Sequence, residues 1–408
     1  MVTRQSDAMA DRDRVMHIKI PQGMEVAPED QGKVLELLQA MYGQKQASRQ
    51  WELKRDKALE SVGMQQCPHK PMIFKKEIIK DGADDFAWAA DREIQVELDE
   101  LIAELGTKHF KMTVKPQVDQ FISIVFGFKE GQVTLNQAAY LENILDEFLE
   151  NPKGRRSQPY RSVNDKEFDT TQEPSSTDLH FMKEHNYFRL VGKLQFLTVT
   201  RPVIQYAVGK LARHTTKTRI THWKAAQELL EYLNNTRDHG LCFQQTGQKL
   251  VVEGYSDSDF AGDSETRRST TGVLVRVGKA AVLSFSKRQP IVADSTVSAE
   301  VIAACSLVKE VIWVRNMLEW LGHAQEMPSQ VWTDNKGAVF NMEEGALRHK
   351  TKQLDIKYMF LRDQVRQGLV TVGHCPDPLM WADVLTKGVG STKFTDCRHA
   401  FGEESIPT

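Results

Sequence analysis

Cysteine is scarce and unpaired in this sequence. Five residues (Cys67, Cys242, Cys305, Cys375 and Cys397) are scattered along 408, an odd number with no CxxC spacing. That pattern argues against a zinc site or a disulfide frame and fits a reducing compartment. Long apolar runs are missing too: none approaches the roughly 20 residues needed to span a bilayer. The opening MVTRQSDAMADRDRV holds no apolar core of the kind a secretory leader needs. Neither sign of charge dominates, since the formal net charge is −2 with 26% of residues charged. Internal repeats and long low-complexity tracts are also lacking. What is present, 40% hydrophobic residues in a chain of this length, suits a globular protein of two or three domains with no membrane partner.

The balanced total conceals a local excess. Residues 153–224 hold 14 Lys/Arg against 6 Asp/Glu, and a phosphate backbone is attracted to such a surface. Arg155, Arg156, Arg161, Arg201, Lys210 and Arg213 are the candidate nucleic-acid contacts within it. On charge alone, a solvated helical face is the simpler account.

Hydrophobic spacing outlines the elements. Ile94 to Leu105 and Tyr140 to Leu149 have the period of amphipathic helices. Between them, Phe121 to Phe128 and Gln132 to Leu135 flank Lys129, Glu130 and Gly131 as a hairpin. Asn151 to Thr177, rich in Pro, Ser, Thr, Asp and Arg, reads as an extended connector. Tyr187 to His214 and Thr221 to Asn234 read as helices, and Gly240 precedes a strand-like segment. The last third begins with strands at Lys249–Ser256, Gly272–Val277 and Ala281–Ser286. A long helix from Ser298 to Gly322 follows, then a strand at Gln330–Thr333. Helical stretches to about Met342 and over Thr351–Gln367 precede a strand at Leu369–His374 and a short terminal helix. Strands first, then alternating helix and strand, imply a mixed α/β sheet flanked by helices.

Carboxylates gather at the ends of these elements. In GYSDSDFAGDSETRRSTTG (residues 254–272), Asp257 and Asp259 lie two apart and share one face of an extended strand. Glu300 heads the helical stripe Ala304, Leu307, Val311, Val314 and Leu318, so it should point toward the sheet. Asp334 in WTDN ends a strand, and Asp383 in WADVLTK lies on the last short helix. Taken singly, each acid is explained as a cap or a turn former. Converging over one sheet, they would repel unless a divalent cation bound them. Hard oxygen ligands suit Mg²⁺ or Mn²⁺, and two such ions about 4 Å apart can promote phosphodiester cleavage.

The segments GYSDSDFAGDSETRRSTTGVLV, LSFSKRQPIVADSTVSAEVIA, VWTDNKGAVFNM, RHKTKQLDIKYMFLRDQVRQGLVTV and WADVLTK, in that order over roughly residues 245–390, resemble the RNase H domain of copia-type LTR retrotransposon polyproteins. The resemblance implies an RNase H-like mixed sheet, with Asp257, Glu300, Asp334 and Asp383 as catalytic ligands of two Mg²⁺ or Mn²⁺ ions. Asp259 and Asp263 match further acids of the first motif. It implies hydrolysis of the RNA strand of an RNA–DNA hybrid, with other Pol and Gag products of the element as partners. Three positions depart from the pattern: Ser298 stands where an acid is usual, and Gln353 and Met359 where histidines are. His374 ends a strand where some RNase H folds carry a mobile histidine; a chance loop histidine is the simpler account.

The resemblance continues toward the N-terminus. IKIPQGMEVAPEDQGKVLELLQAMYGQKQASRQW (residues 18–51) resembles copia-type reverse transcriptase, and Asp84 and Asp85 of GADDFAWAA match its paired catalytic aspartates. The stretches LVGKLQFLTVTRP, AVGKLARH, HWKAAQELLEYLNNT and HGLCF carry the likeness onward. Here the polymerase chemistry looks damaged. Gly82 replaces a tyrosine, charged Lys80 and Asp81 interrupt the preceding strand, and VTRQSDAMADRDRV offers only Asp7 for a third aspartate. The expected organisation is a truncated reverse-transcriptase palm remnant (1–150), a basic linker and helical thumb/connection region (151–245), an RNase H-like domain (246–390) and a C-terminal tail (391–408). The function implied is a retrotransposon-derived ribonuclease H. A catalytically dead nucleic-acid-binding Pol segment and a residual RNA-directed DNA polymerase are the alternatives.

Overall fold

The computed structural model describes residues 119–150, 172–343 and 352–406, apart from 246 and 248. Earlier in the chain it describes 17–19, 34–36, 55–61, 63–68, 70–76, 79–80, 100 and 103–104, and beyond 150 it adds 152, 156–159 and 168. Most of the helix expected at Ile94–Leu105 lies outside the described residues. The chain divides into two compact units, residues 1–114 and 115–408. In the first, β1 (His17–Lys19) pairs antiparallel with β2 (Val34–Glu36), and β3 (Gln65–Cys67), β4 (Lys70–Lys76) and β5 (Ile79–Lys80) form a second antiparallel sheet.

The second unit contains two five-stranded sheets. One joins β10 (Val252–Asp259), β11 (Thr270–Val277), β12 (Ala280–Arg288), β13 (Ser329–Thr333) and β14 (Val370–His374) in the order β12-β11-β10-β13-β14. The strand β11 runs antiparallel to β10 and β12, whereas β10, β13 and β14 are parallel. This is the RNase H-like mixed sheet that the resemblance implies.

Its strands are buried on both faces. Along β11, Val273 and Val275 join one apolar cluster with Val301, Leu307 and Val311, while Leu274 between them joins another with Leu385, Phe394 and Phe401. The period of two sends alternate side chains to opposite faces. The first face is covered by a long helix (Thr296–Trp320), here α6. Its Ser295 N-cap accepts a hydrogen bond from the Ser298 N–H at 3.2 Å. The helices α7 (Lys336–Glu343) and α8 (Lys352–Arg366) follow it.

On the other side lies a group of helices from the middle of the chain that share one apolar cluster with it, α1 (Ala138–Phe148), α2 (Ser176–Glu184), α3 (Tyr187–Leu197), α4 (Gln205–Ala212) and α5 (Ile220–Asn234), of which α4 packs against β12. The single helix expected over Tyr187–His214 is in fact two. Pro202 has no N–H to continue the ladder, and it holds Arg201 at φ −126°, ψ 61°, outside the helical region.

The second sheet runs β15-β9-β8-β7-β6: β6 (Gln120–Phe121), β7 (Ile124–Lys129), β8 (Gln132–Asn136), β9 (His239–Gln244) and β15 (Glu403–Ser405). The expected hairpin is β7–β8, turned at Gly131 with φ +68°. Its partners were not foreseen. Residues on both sides of the expected boundaries at 150/151 and 390/391 share one sheet, and residues 391–400 form a further helix, α9, whose Phe394 and Cys397 enter the core. All five cysteines are free and buried. No described helix is long and apolar enough to cross a membrane.

Candidate metal centre

Three elements deliver carboxylates to one point. The parallel pairing of β10 with β13 sets Ser256 beside Thr333, so the next residues, Asp257 and Asp334, emerge together at the C-terminal strand ends. Glu300 reaches the same point from the first turns of α6. One carboxylate oxygen from each of Asp257, Glu300 and Asp334 lies within 4.8 Å of the others.

Asp383 arrives on a short 3-10 helix, Trp381–Leu385, lying directly on β11. Gly272 permits that approach. It is in register with Asp257, and a methyl group there would sit 2.8 Å from Leu385 Cβ and 2.9 Å from the Ala382 carbonyl oxygen.

The cluster is held from within. Glu300 Oε1 accepts hydrogen bonds from the Ser258 N–H at 3.0 Å and its hydroxyl at 2.7 Å, and Oε2 accepts from Thr333 Oγ1 at 3.3 Å. The Thr386 hydroxyl donates to Asp257 Oδ2. Lys387 Nζ lies 2.8 Å from Asp383 Oδ1 and 3.8 Å from Asp257 Oδ2, and Lys393 Nζ lies 3.3 Å from Asp383 Oδ2. Neither lysine is among the residues expected at the site, although the i,i+4 spacing of Asp383 and Lys387 in WADVLTK is a usable signal.

Burial and mutual repulsion make the bare carboxylates reluctant anions. Burial raises Asp257 despite the opposing pull of Lys387, and Glu300 is raised well above its ordinary value by burial and by Asp257. Asp334 is raised by burial, and Asp383 is pushed to about 6 by burial and Asp257. Burial alone would lower Lys387, but Asp257 and Asp383 raise it instead. Crowded carboxylate oxygens, whose charge burial and mutual repulsion disfavour, are a donor set that a hard divalent cation fits.

The other acids of the first motif have different work. Asp259 Oδ1 accepts from the Gly262 and Thr270 N–H groups, both at 3.1 Å, closing the loop after β10. Asp263 accepts from the Thr266 N–H at 2.8 Å and hydroxyl at 2.7 Å, and from Arg288 Nη1 at 2.9 Å. Ser298, where an acid is usual, bonds to Asp294 and Ser295 in the cap of α6. His374, half-buried, pairs in register with Thr333, one residue before Asp334.

The candidate nucleic-acid residues need correction. Arg201 is 1% exposed, and its Nε donates to Glu403 Oε1 at 2.6 Å. Lys210 is 2% exposed, 5.7 Å from the centre of the Phe168 ring. Arg213 donates to Thr270 Oγ1 at 3.0 Å and lies 3.6 Å from Asp263 Oδ2. Arg156 pairs with Glu228 at 2.9 Å and Glu231 at 3.3 Å. Arg155 and Arg161 lie outside the described residues, as do Asp84 and Asp85 of the polymerase motif. The four described basic residues neutralise carboxylates or pack inside the protein, and Arg201 and Lys210 offer no surface to a duplex. Charge counting along a sequence cannot separate an interior cation from an exposed one.

Residues 7–151 match the family described as reverse transcriptase (RNA-dependent DNA polymerase). The retrovirus-related Pol polyprotein from transposon TNT 1-94 of Nicotiana tabacum is 31% identical over 406 residues, which is 97% of this chain and 30% of the polyprotein. The corresponding polyprotein from transposon RE2 of Arabidopsis thaliana is 33% identical over 221 residues, 54% of this chain and 15% of its own length. Among solved structures, LC11-RNase H1, isolated from compost, matches 33% of this chain and 92% of its own, with 18% identity and a TM-score of 0.27. Similar to one such polyprotein along nearly its whole length, and to reverse transcriptase over its first third, the chain belongs to the Pol polyproteins of copia-type retrotransposons.

Proposed function

We propose that residues 246–390 carry a ribonuclease H activity that cleaves the RNA strand of an RNA–DNA hybrid. The observation that carries this reading is the convergence of Asp257, Glu300 and Asp334 within 4.8 Å, with Asp383 adjoining through Lys387. These four residues would hold two Mg²⁺ or Mn²⁺ ions. When bound, such ions activate water and stabilise the leaving oxygen of a phosphodiester.

The chain's own residues supply placement. Ser258 and Thr333 orient both oxygens of Glu300. Thr386 fixes Asp257, and half-buried Asp334 leaves the cluster open to a strand approaching from solvent. Selection of RNA over DNA would come from contacts to the 2′-hydroxyl, which only RNA offers. DNA synthesis is not assigned to residues 1–150, because charged Lys80 and Asp81 interrupt the strand that should carry Asp84 and Asp85.

Asp334→Asn tests the reading. The side chain is not fully buried, so the fold should survive its neutralisation. Cleavage of a labelled hybrid in Mg²⁺ is expected to fall at least about 100-fold, the scale on which lost transition-state charge stabilisation is felt. Hybrid binding, followed by fluorescence anisotropy, should change little. Wild-type protein inert on the hybrid in both Mg²⁺ and Mn²⁺ would overturn the proposal and favour a module that binds without cleaving.

A further inference from the structure

A lysine stands where a cation would be expected. Lys387 Nζ is 2.8 Å from Asp383 Oδ1 and 3.8 Å from Asp257 Oδ2. The second oxygen of Asp383 faces Lys393 Nζ at 3.3 Å. Both oxygens of Asp383 are therefore engaged by ammonium groups, while Asp257, Glu300 and Asp334 converge on one another. The cluster is asymmetric, with one side of three carboxylates and another on which an internal cation already sits.

The two lysines differ in freedom. The Lys393 side chain is 18% exposed and also lies 3.8 Å from Asp377 Oδ1, so it is anchored on two sides. The Lys387 side chain is 48% exposed. Its flexible four-carbon stem can carry the charge into solvent without moving the backbone. An ammonium and a divalent ion cannot share the same two carboxylates, because each needs the same oxygens and the two repel.

We propose that Lys387 is the resident counter-cation of the Asp257–Asp383 side, which a second divalent ion must displace, so that the two ions load unequally. The first ion enters among Asp257, Glu300 and Asp334, and the second competes with Lys387. This rests on the two-metal reading above. It adds a residue that sets the metal concentration at which the site becomes complete.

Calorimetric titration of Mn²⁺ alone into the full chain tests it, comparing wild type with Lys387→Met and Lys387→Arg. Wild type should show a tighter and a weaker event. Lys387→Met should tighten the weaker one about tenfold, within the usual range for two sites coupled through shared groups. The tighter event should move much less, and Lys387→Arg, which keeps the charge, should not tighten either. In EDTA, Lys387→Met should unfold at a lower temperature than wild type and recover on addition of Mn²⁺. A lysine that merely supported the fold would, when removed, weaken both events. A weaker event unchanged or loosened in folded Lys387→Met overturns the proposal; should that variant not fold, Lys387→Gln is read by the same criterion. Failure of the underlying reading looks different: wild type then takes up no Mn²⁺, and both proposals fall together.

Discussion

Two carboxylates of the same unit are driven in opposite directions, and pH separates them. Burial and the neighbouring Asp257 push Asp383 up to about 6. Burial alone would raise Asp263 as well, but hydrogen bonds from the Thr266 hydroxyl and N–H and from Arg288 hold it down at about 2. An unfolded aspartate titrates near 3.9. Metal-free folded protein therefore binds the Asp383 proton more tightly than the unfolded chain does. Its stabilising contribution is full below about pH 4 and is lost as the pH rises through about 6. Asp263 acts in the reverse sense, since its contribution is present above about pH 4 and disappears as the pH falls through about 2. Asparagine titrates at neither position. In EDTA, the unfolding temperature of Asp383→Asn should gain on wild type between about pH 4 and 7, whereas that of Asp263→Asn should lose ground between about pH 2 and 5. Parallel pH responses in the two variants would contradict this assignment of causes. That both acids belong to one site region was visible in the order of the motifs. That Asp263 is a knot in a loop and Asp383 a strained anion was not, because the groups facing them, Arg288 and Asp257, are brought there by β-pairing.

The 3-10 helix that carries Asp383 shows how closely an element must sit for that carboxylate to reach Asp257 and Lys387. Gly272 lies opposite Asp257 on β11, and the space of its missing side chain is filled by Leu385 Cβ and the Ala382 carbonyl. Gly272→Ala must push that segment outward, since a backbone oxygen cannot rotate away. Overpacking of this kind costs about 1–3 kcal/mol, measurable by denaturant unfolding. On the proposed ribonuclease reading, cleavage should fall further than stability alone accounts for, by about 100-fold, because a 1 Å displacement of a group taking part in the reaction has that effect. A folded Gly272→Ala with unaltered cleavage would show that Asp383 need not hold its place. The elements themselves were largely legible. The strands expected at Lys249–Ser256, Gly272–Val277 and Ala281–Ser286 fall on β10 to β12, and the 3.6-residue stripe from Glu300 to Leu318 marked α6, whose Ser295 cap the structure adds. The short strand β15 was not legible. Its residues, Glu403 to Ser405, are polar and only three long, and their partner strand β9 lies some 160 positions earlier. Nothing local announces such a strand, because tertiary pairing alone makes it one.

That pairing ties the last strand to the middle of the chain, and just before it the Phe401 carbonyl accepts from the Ala281 N–H of β12 at 3.0 Å, joining the RNase H-like sheet to the same seam. On the face of the sheet opposite α6, α4 packs against β12, and Leu274 shares one apolar cluster with residues of α3, α4 and α5. At the same seam Arg201, fully buried, donates to Glu403 Oε1 through Nε, to the Thr236 carbonyl through Nη1 at 2.8 Å and to Thr236 Oγ1 through Nη2 at 2.7 Å. A buried ion pair is weak evidence of net stability, because desolvation of both charges offsets much of their attraction. Its loss on one side is another matter, since the remaining charge is stranded without water. Glu403→Gln should therefore cost about 3–5 kcal/mol in unfolding free energy, while the double variant Arg201→Met/Glu403→Met should recover most of that loss or exceed wild type. Ending the chain at residue 390 removes Glu403, α9 and β15 together and strands the same arginine, so residues 1–390 should be destabilised; a piece confined to 246–390 loses in addition Phe394 and Phe401 from the cluster around Leu274 and Leu385, and should not fold alone. Denaturant titration of the three variants, with limited proteolysis of the shortened chain, checks both expectations. A protease-resistant 246–390 fragment with full stability would mean that the middle helices merely rest on the sheet; its absence would make the nuclease-like fold and the connecting region one cooperative body, in which a mutation at Arg201, far along the chain from any of the four acids, lowers the population of the assembled site.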